Sequence, residues 1–573
     1  MEAFFEAVDQ ARAMYLDVYI GFFRYAVPII VAFLLLRCFK PLLTFRREPE
    51  IWAWLCMEGG KKVPITHWEN VIGRSRHSDI QIDFPTVSRN HAVLTRYDDG
   101  SWTITDADST DGVRVNGKKV TICALKENDV ISIGGIDMGL IPITHRQEKR
   151  QAQLRTRASS GGDSFFNLLL LTLLQCMACG AFLLEEESRN YLPIIQGFGG
   201  IAICQWLLFL FYVIINRRSF EVETIAFFLC TMGMSAIATV RPGETMKQLI
   251  AMIIGVITFL SIGWSLRDLE RAKVFRYVAT VAGVLFLVIT LVFGKEYYGA
   301  KNWLVIGGLS LQPSELSKVC FVYAGASTMD RIMSKRNLIL FIAYSVLICG
   351  CLALMNDFGT ALIFFFAFLV IAYLRSGSVG TLALACTSLG FAGVVAIKIA
   401  PHALRRFAVW RHIWEDPLGK GYQQTRALMC IAAGGLLGLG PGRGYLKRVF
   451  AADSDIAFAT ISEEWGLIVA VMMVACIVVL GFFALRSARV ARSTFYTIGA
   501  CTAASLLLIQ TILNCLGTVD VVPLTGVTFP FLSNGGTSMI GSWGLLAFVK
   551  AADTRQNASF AVRLSKKGRD EDE

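Results

Sequence analysis

The sequence predicts a multi-pass, all-α membrane protein of about thirteen spans, with an all-β sandwich inserted behind the first span. Three observations carry that prediction. Of the 573 residues, 54% are hydrophobic and 17% are charged, and the apolar residues fall in blocks of about twenty, the length of a bilayer-spanning helix. Residues 50–145 break the pattern. There polar and β-branched residues alternate (Ile80-Gln81-Ile82, Trp102-Thr103-Ile104) between turn pairs such as Asp99-Gly100 and Asn116-Gly117, as in a small sandwich. Lys and Arg then recur at alternate loops, which sets an orientation.

The elements follow in order. Val18–Cys38 precedes Lys40, Arg46 and Arg47, and the first sixteen residues hold no basic leader region or cleavage site. Residues 1–49 therefore read as an uncleaved anchor whose C-terminal end is cytoplasmic. After the sandwich at 50–145, the segment 146–163 is rich in Arg and ends in Ser159-Ser160-Gly161-Gly162, the composition of a flexible basic linker on the cytoplasmic surface. Twelve apolar runs come next: 165–184, 192–216, 222–240, 247–265, 276–293, 315–330, 338–355, 360–374, 378–399, 465–485, 494–513 and 538–551. Loops placed inside carry Arg217-Arg218, Arg267/Arg271/Lys273, Lys335-Arg336, Arg375 and Arg486/Arg489/Arg492, whereas the first outer loop opens on Glu185-Glu186-Glu187. The segment 553–573 reads as a cytoplasmic tail.

The net charge of +11 accordingly reads as cytoplasmic anchoring to membrane lipids, with no nucleic-acid partner. Most of the fifteen cysteines lie inside apolar runs, where they act as small hydrophobes. Paired CxxC motifs are absent, and His402 and His412 lack ligand spacing, so no metal ligand is assigned.

One stretch defies the charge rule. Arg405–Glu464 lies outside by parity, yet it holds Arg405, Arg406, Arg411, Lys420, Arg426, Arg443, Lys447 and Arg448, then Asp453, Asp455, Glu463 and Glu464. A basic outer loop points to an anionic ligand, with carboxylates at hand for proton transfer. Asp453 reads as a solvated loop acid.

Within the sandwich, Gly73-Arg74, Ser88-Arg89-Asn90-His91, Ser109-Thr110 and Asn116-Gly117 offer guanidiniums, hydroxyls and turn amides that suit a phosphate. In these motifs the segment resembles the forkhead-associated (FHA) family of phosphothreonine-binding domains. The resemblance implies that Arg74, Ser88, Arg89 and Thr110 hold the phosphate of a phosphothreonine protein, while His91 is structural. Asp111 stands where that family usually has Asn.

Four polar clusters interrupt the later runs: Lys301-Asn302-Trp303 through Gln312-Pro313-Ser314-Glu315-Leu316-Ser317-Lys318; Asn356-Asp357-Phe358-Gly359-Thr360; the basic loop with Trp414-Glu415-Asp416-Pro417, Gly421-Tyr422-Gln423 and Asp455; and Pro523 through Ser533-Asn534-Gly535-Gly536. Together they resemble the SEDS (RodA/FtsW-type) family over residues 222–552, within a core placed at 219–552, and leave 164–218 as an extra transmembrane pair. The resemblance implies a ten-helix core that polymerises lipid II into peptidoglycan at the outer face of the cytoplasmic membrane of a bacterium, beside a class B penicillin-binding protein. Joining a C4 hydroxyl to C1 and expelling a polyprenyl diphosphate requires a base and positive charge. By the resemblance Asp455 is catalytic. Arg405, Arg406 and Arg443 are candidates for the diphosphate, and Trp303, Gln423 and Ser533 for further substrate contacts. Glu315 and Lys318, three apart at a helix start, join the candidates for substrate binding and could pair with each other or with Asp455. A divalent cation such as Mg2+ stays open. So do two other functions: a transporter of the same lipid, which needs no base, and a signalling scaffold built on the FHA domain. Asn302 and Asn356 replace the usual Arg and Pro of the family.

Overall fold

The computed structural model describes residues 2–559 apart from 46–49, 59, 77, 98–99, 155–159, 186–190, 268, 298, 307–308, 328–334, 377–378, 400–405, 492 and 556–557. A long first helix, α1 (Glu2–Leu43), leads into eleven strands, and every later apolar run forms a helix. These are α3 (Gly161–Glu185), α4 (Leu192–Ile214), α5 (Glu221–Val240), α6 (Thr245–Ser265), α7 (Leu269–Phe293), α8 (Pro313–Ser327), α9 (Lys335–Leu354), α10 (Phe358–Ser376) and α11 (Val379–Ile399). Two short helices in the long loop, α12 (Tyr422–Gly434) and α13 (Ala457–Trp465), precede α14 (Leu467–Ala488), α15 (Thr494–Thr518) and α16 (Gly536–Ala551). Among the described residues nine helices are long and apolar enough to cross a membrane. The chain is a multi-pass membrane protein.

Packing follows composition. α5 is buried on all sides from Glu221 to Ala238, apolar beyond its first turn except for a few hydroxyl side chains, as expected of a central helix. α16 lies against α6 where Gly255 faces Trp543, a Cβ there meeting the indole at 2.7 Å, and Phe227 meets the same ring edge-on at 5.1 Å. The first helix is no loose anchor: Phe23 packs on Trp465 at 5.1 Å and Phe45 on Phe483 at 5.9 Å. Arg37 donates to Asp163 and Asn167, each at 2.8 Å, and so ties α1 to α3.

The strands form two sheets around a separate apolar core: β2-β1-β11-β10-β7-β8 and β4-β3-β5-β6-β9. Here β1 is Ala53–Met57, β2 Lys62–Ile65, β3 Glu69–Gly73, β4 Ile80–Gln81, β5 Ala92–Arg96, β6 Trp102–Asp106, β7 Val113–Val115, β8 Lys118–Val120, β9 Ile122–Leu125, β10 Val130–Ile133 and β11 Ile136–Pro142. Among the described residues of the basic linker, the part next to the sandwich is folded where the composition suggests flexibility. Its first part is helical, α2 (His145–Leu154), and it returns to the sandwich because Gln151 accepts from Ile51 N at 3.0 Å and Glu148 meets Arg96 at 3.4 Å.

The sandwich docks on the turn between α14 and α15. Ser493, which caps α15 by accepting from Phe495 N, donates to Glu69 at 3.1 Å, and His67 Nδ1 lies 3.1 Å from Ala491 O. Glu69 begins β3, whereas Arg74 follows its other end. At about 3.3 Å per residue the phosphate-type loops sit one strand length away from the dock.

At the same end of the bundle a charged group is buried without solvent. Lys550 contacts Glu223 at 3.1 Å with both side chains fully buried, and Tyr212 donates to Glu223 at 2.8 Å. Arg555 binds Asp553 at 2.8 Å and Glu221 at 3.4 Å. Removing one partner strands a buried charge and costs about 3–5 kcal/mol. Lys550→Met should therefore lower the melting temperature of the detergent-purified protein markedly, and adding Glu223→Met should recover much of the loss. An unchanged melt for the single variant would contradict the reading of this network.

Candidate functional site

The four polar clusters meet at the end of the bundle remote from the sandwich. Their centre is the turn 451–456 ahead of α13, and a buried turn must find partners for its backbone. Asn514 on α15 donates through Nδ2 both to Asp455 O at 2.9 Å and to Val527 O at 2.8 Å. Ser533 Oγ donates to Ser454 O at 2.6 Å and accepts from Phe529 N at 2.8 Å. Asn534 N donates to Asp453 O at 2.7 Å, and its Nδ2 reaches Asp453 Oδ2 at 2.7 Å. Asp455 is thus fixed by backbone contacts on both sides while its own side chain stays partly exposed.

Arg406 closes one flank. Its Nη1 donates to Thr525 O at 2.7 Å, and Gly526, whose φ of +71° favours glycine, lies beside both side chains. A Cβ on that glycine would lie 3.5 Å from Asp455 Oδ2 and 3.8 Å from Arg406 Nη2. Burial pushes the Asp455 carboxyl up to about 6, with Arg406 holding it down and Asp453 adding to the rise. A carboxylate poised there suits proton transfer near neutral pH.

The acidic group divides in two. Asp453, expected in solvent, is fully buried, because the 529–534 segment covers it and supplies Asn534; Arg241 lies 3.5 Å from its Oδ2. Glu463 and Glu464 turn away to hold the glycine-rich loop. Glu463 accepts from Tyr445 N and Leu446 N at 2.8 and 3.0 Å. Glu464 accepts from Thr239 Oγ1 at 2.8 Å and Gly444 N at 3.3 Å, and burial pushes it up to about 8.

The other predicted residues spread across this end. Arg443 is engaged elsewhere, with Asp17 of α1 at 2.8 Å and Glu185 of α3 at 3.3 Å. Arg405, with most of the tail at 553–573, lies outside the described residues. Glu315 and Lys318 pair with each other, buried at 2.6 Å on α8. Asp357 caps α10 by accepting from Thr360 N at 3.1 Å and is met by Asn302 at 3.0 Å and Gln312 at 3.5 Å. A Cβ on Gly359 would stand 3.1 Å from Thr525 O, so this cluster adjoins the Arg406 flank. Trp303 lies partly buried on a three-stranded sheet of β12 (Lys295–Tyr297), β13 (Ala300–Ile306) and β14 (Leu309–Leu311), which apolar patterning did not reveal. Gln423 donates to Phe450 O at 2.9 Å. Asn514 and Arg241 escaped sequence reading; each sits at the end of an apolar run, where a single polar residue passes as a helix terminus. Among the described residues no three His, Cys, Asp or Glu side chains gather as metal ligands.

In the sandwich the phosphate-type motifs share one loop end. Gly73 is required, since a Cβ would come within 2.2 Å of Arg89 O, and this closeness allows Arg74 N to donate to Ser88 O at 3.0 Å. Thr110 N donates to Ser88 Oγ at 3.1 Å. Buried His91 accepts from Ser88 N at 3.1 Å through Nδ1, with Nε2 3.2 Å from Gly112 O. Arg74, Arg89 and Thr110 are exposed beside it.

The chain thus joins a multi-pass helical bundle, with its polar clusters gathered at one end, to a β-sandwich that exposes two arginines and a threonine at one loop end. Residues 224–558 match the model of the FtsW/RodA/SpoVE cell cycle proteins, and residues 70–134 match that of the FHA domain. The peptidoglycan glycosyltransferase RodA of Mycobacterium tuberculosis is 30% identical over 324 residues, covering 53% of this chain and 69% of that one. The probable peptidoglycan glycosyltransferase FtsW of Bacillus subtilis is 30% identical over 342 residues, covering 54% and 83%. The crystal structure of RodA from Thermus thermophilus aligns at 21% identity over 58% of this chain and 95% of that one, with a TM-score of 0.43. The chain belongs to the FtsW/RodA/SpoVE family of peptidoglycan glycosyltransferases and carries an FHA domain.

The position of the Asp455 carboxyl gives a signed expectation. Were Asp455 to serve as a base it would work ionised, so kcat/KM should fall about tenfold per pH unit below about pH 6 and level off above it. Arg406→Gln removes the charge that favours ionisation and should move this limb upward. A flat profile between pH 5 and 7.5 would contradict the assignment.

Proposed function

We propose that the chain polymerises lipid II into glycan strands at the outer face of the cytoplasmic membrane. The C4 hydroxyl of one lipid-linked disaccharide attacks C1 of another; Asp455 takes the hydroxyl proton, the C1–oxygen bond to the diphosphate breaks, and undecaprenyl diphosphate leaves. Arg406 faces the charge that develops on the diphosphate, where a guanidinium is worth most in the transition state. One observation carries this reading: a backbone-braced, partly exposed carboxylate near pH 6 beside a guanidinium, at the end of a bundle remote from the cytoplasmic-type module. By the same orientation the FHA domain is cytoplasmic. Its Arg74, Ser88, Arg89 and Thr110 would bind a phosphothreonine protein, and a class B penicillin-binding protein would crosslink the strands.

Asp455→Asn keeps the shape of the side chain but cannot accept the proton at neutral pH. Strand synthesis by the purified variant should drop on the order of 10²–10⁴-fold, with lipid II binding and the melting temperature retained. Near-normal synthesis by a folded variant would sink the catalytic role. For the module, fluorescence anisotropy of the full chain with phosphothreonine and plain peptide libraries provides the check. Phosphorylated peptides should bind, and Arg89→Ala should weaken binding on the order of tenfold, as expected of a lost charge-assisted bond. Equal affinity for both libraries would show a docking module that ignores phosphate.

A further inference from the structure

Arg241 belongs to none of the polar clusters, yet the fold brings it to Asp453, two residues from Asp455. It ends α5, donating its backbone N–H to Ile237 O at 2.7 Å. The following Pro242 disfavours helical backbone at the residue before it, and Arg241 indeed leaves the helix with φ −144° and ψ 73°. Its Nε then lies 3.5 Å from Asp453 Oδ2. The two partners differ sharply in exposure: the Asp453 side chain is 1% exposed and that of Arg241 is 49% exposed. One edge of the guanidinium meets a buried carboxylate, and the remainder is open to solvent at the end of the bundle where Asp455 lies. A cation that merely complemented the C-terminal dipole of α5 would need no buried acid beneath it.

Asp453 itself calls for an explanation. Burying a carboxylate is costly unless its lone pairs are matched. Oδ2 receives Asn534 at 2.7 Å, but Oδ1 is buried without a hydrogen-bond partner among the described residues. An acid kept under that penalty, and next to another acid, fits a role in holding a cation more readily than a role in packing. Arg443, the third basic residue assigned to the diphosphate by sequence, is spent on Asp17 and Glu185. That leaves room for a second cation beside Arg406.

We propose that Arg241, positioned by the buried carboxylate of Asp453, is a diphosphate-binding residue of the polymerisation site. The inference rests on the proposed lipid II reading for the identity of the ligand. Arg406 and Arg241 then supply two guanidiniums around the Asp455 turn, and their forked geometry suits the oxygens of a diphosphate. Asp453 acts through Arg241 and touches no substrate.

The test uses the full chain in nanodiscs, with two readouts: steady-state strand synthesis from lipid II, and binding of undecaprenyl diphosphate compared with undecaprenyl monophosphate. Arg241→Ala should raise KM and weaken diphosphate binding by about tenfold, as loss of a charge-assisted contact predicts, with monophosphate binding changed less. Arg241→Lys should restore part of the affinity. Asp453→Asn should act in the same direction, and the double variant with Arg241→Ala should be no worse than Arg241→Ala alone, as expected for residues acting as one unit. Arg443→Ala should leave diphosphate affinity within about twofold, since a surface ion pair contributes little. If Arg241→Ala binds undecaprenyl diphosphate like the wild type, the proposal is wrong while the polymerase reading stands. If the wild type binds undecaprenyl diphosphate and Arg241→Ala weakens it but no strands form, the polymerase reading fails and the Arg241 site survives. A wild type that neither binds the diphosphate nor makes strands overturns both.

Discussion

Everything at the active end depends on how the turn 451–456 satisfies its backbone. A turn buried between helices cannot leave its carbonyls to water, and this one gives them to side chains from a distant segment. Asn514 takes the carbonyl of Asp455, Ser533 that of Ser454, and Asn534 donates its own N–H to that of Asp453. Asn514 also holds Val527, so the segment that bears Gly526 is set at the same moment. The loop at 406–424 is laid on that segment in turn: Arg406 binds Thr525 O, Trp410 binds Val521 O at 3.2 Å, and Gln424 binds Gly517 O at 3.0 Å. The geometry of the proposed site is thus an outcome of polar satisfaction, and preorganised polar groups are what stabilise a developing charge.

The charges of the long loop between α11 and α14 serve two purposes. Arg443 and Lys447 work for architecture, the first joining the loop to α1 and α3 and the second donating to Gly442 O at 2.9 Å. Glu463 and Glu464 do the same for the backbone at 444–446. Arg406, Asp453 and Asp455 remain around the turn 451–456. The helices that precede the family core are therefore part of the same packed body as the loop, since Asp17 and Glu185 provide the partners of Arg443. At the opposite end, Glu69 and Ser493 seat the FHA domain on the α14–α15 turn, while its exposed Arg74 and Arg89 lie beyond the far end of β3.

Much of this was legible in the sequence, and the exceptions have a common cause. Apolar runs read as spans became helices because a bilayer-length block of Leu, Ile, Val and Phe has few other ways to satisfy its backbone. The sandwich was visible in its alternation and turn pairs, and Glu315 found Lys318 because residues three apart share a helix face. What stayed hidden was partnership across long stretches of chain. Nothing near Arg443 announces Asp17, and nothing near Arg241 announces Asp453. The burial of Asp453 required the 529–534 segment to fold over it. The small sheet at 295–311 was missed because strands of three to seven residues leave too short a pattern beside the apolar helices. The composition of the linker at 146–163 suggests flexibility, because the partners that anchor its helix, Arg96 and Ile51, lie far away in sequence.

The central claim is that this end of the bundle makes glycosidic bonds. The most direct measurement is release of undecaprenyl diphosphate, counted against glycosidic bonds formed, by the purified full chain in nanodiscs given lipid II, with and without a class B penicillin-binding protein. The account predicts one undecaprenyl diphosphate released for each bond made, in strands of repeating disaccharides. Movement of lipid II between leaflets with neither diphosphate release nor strands under either condition would contradict it.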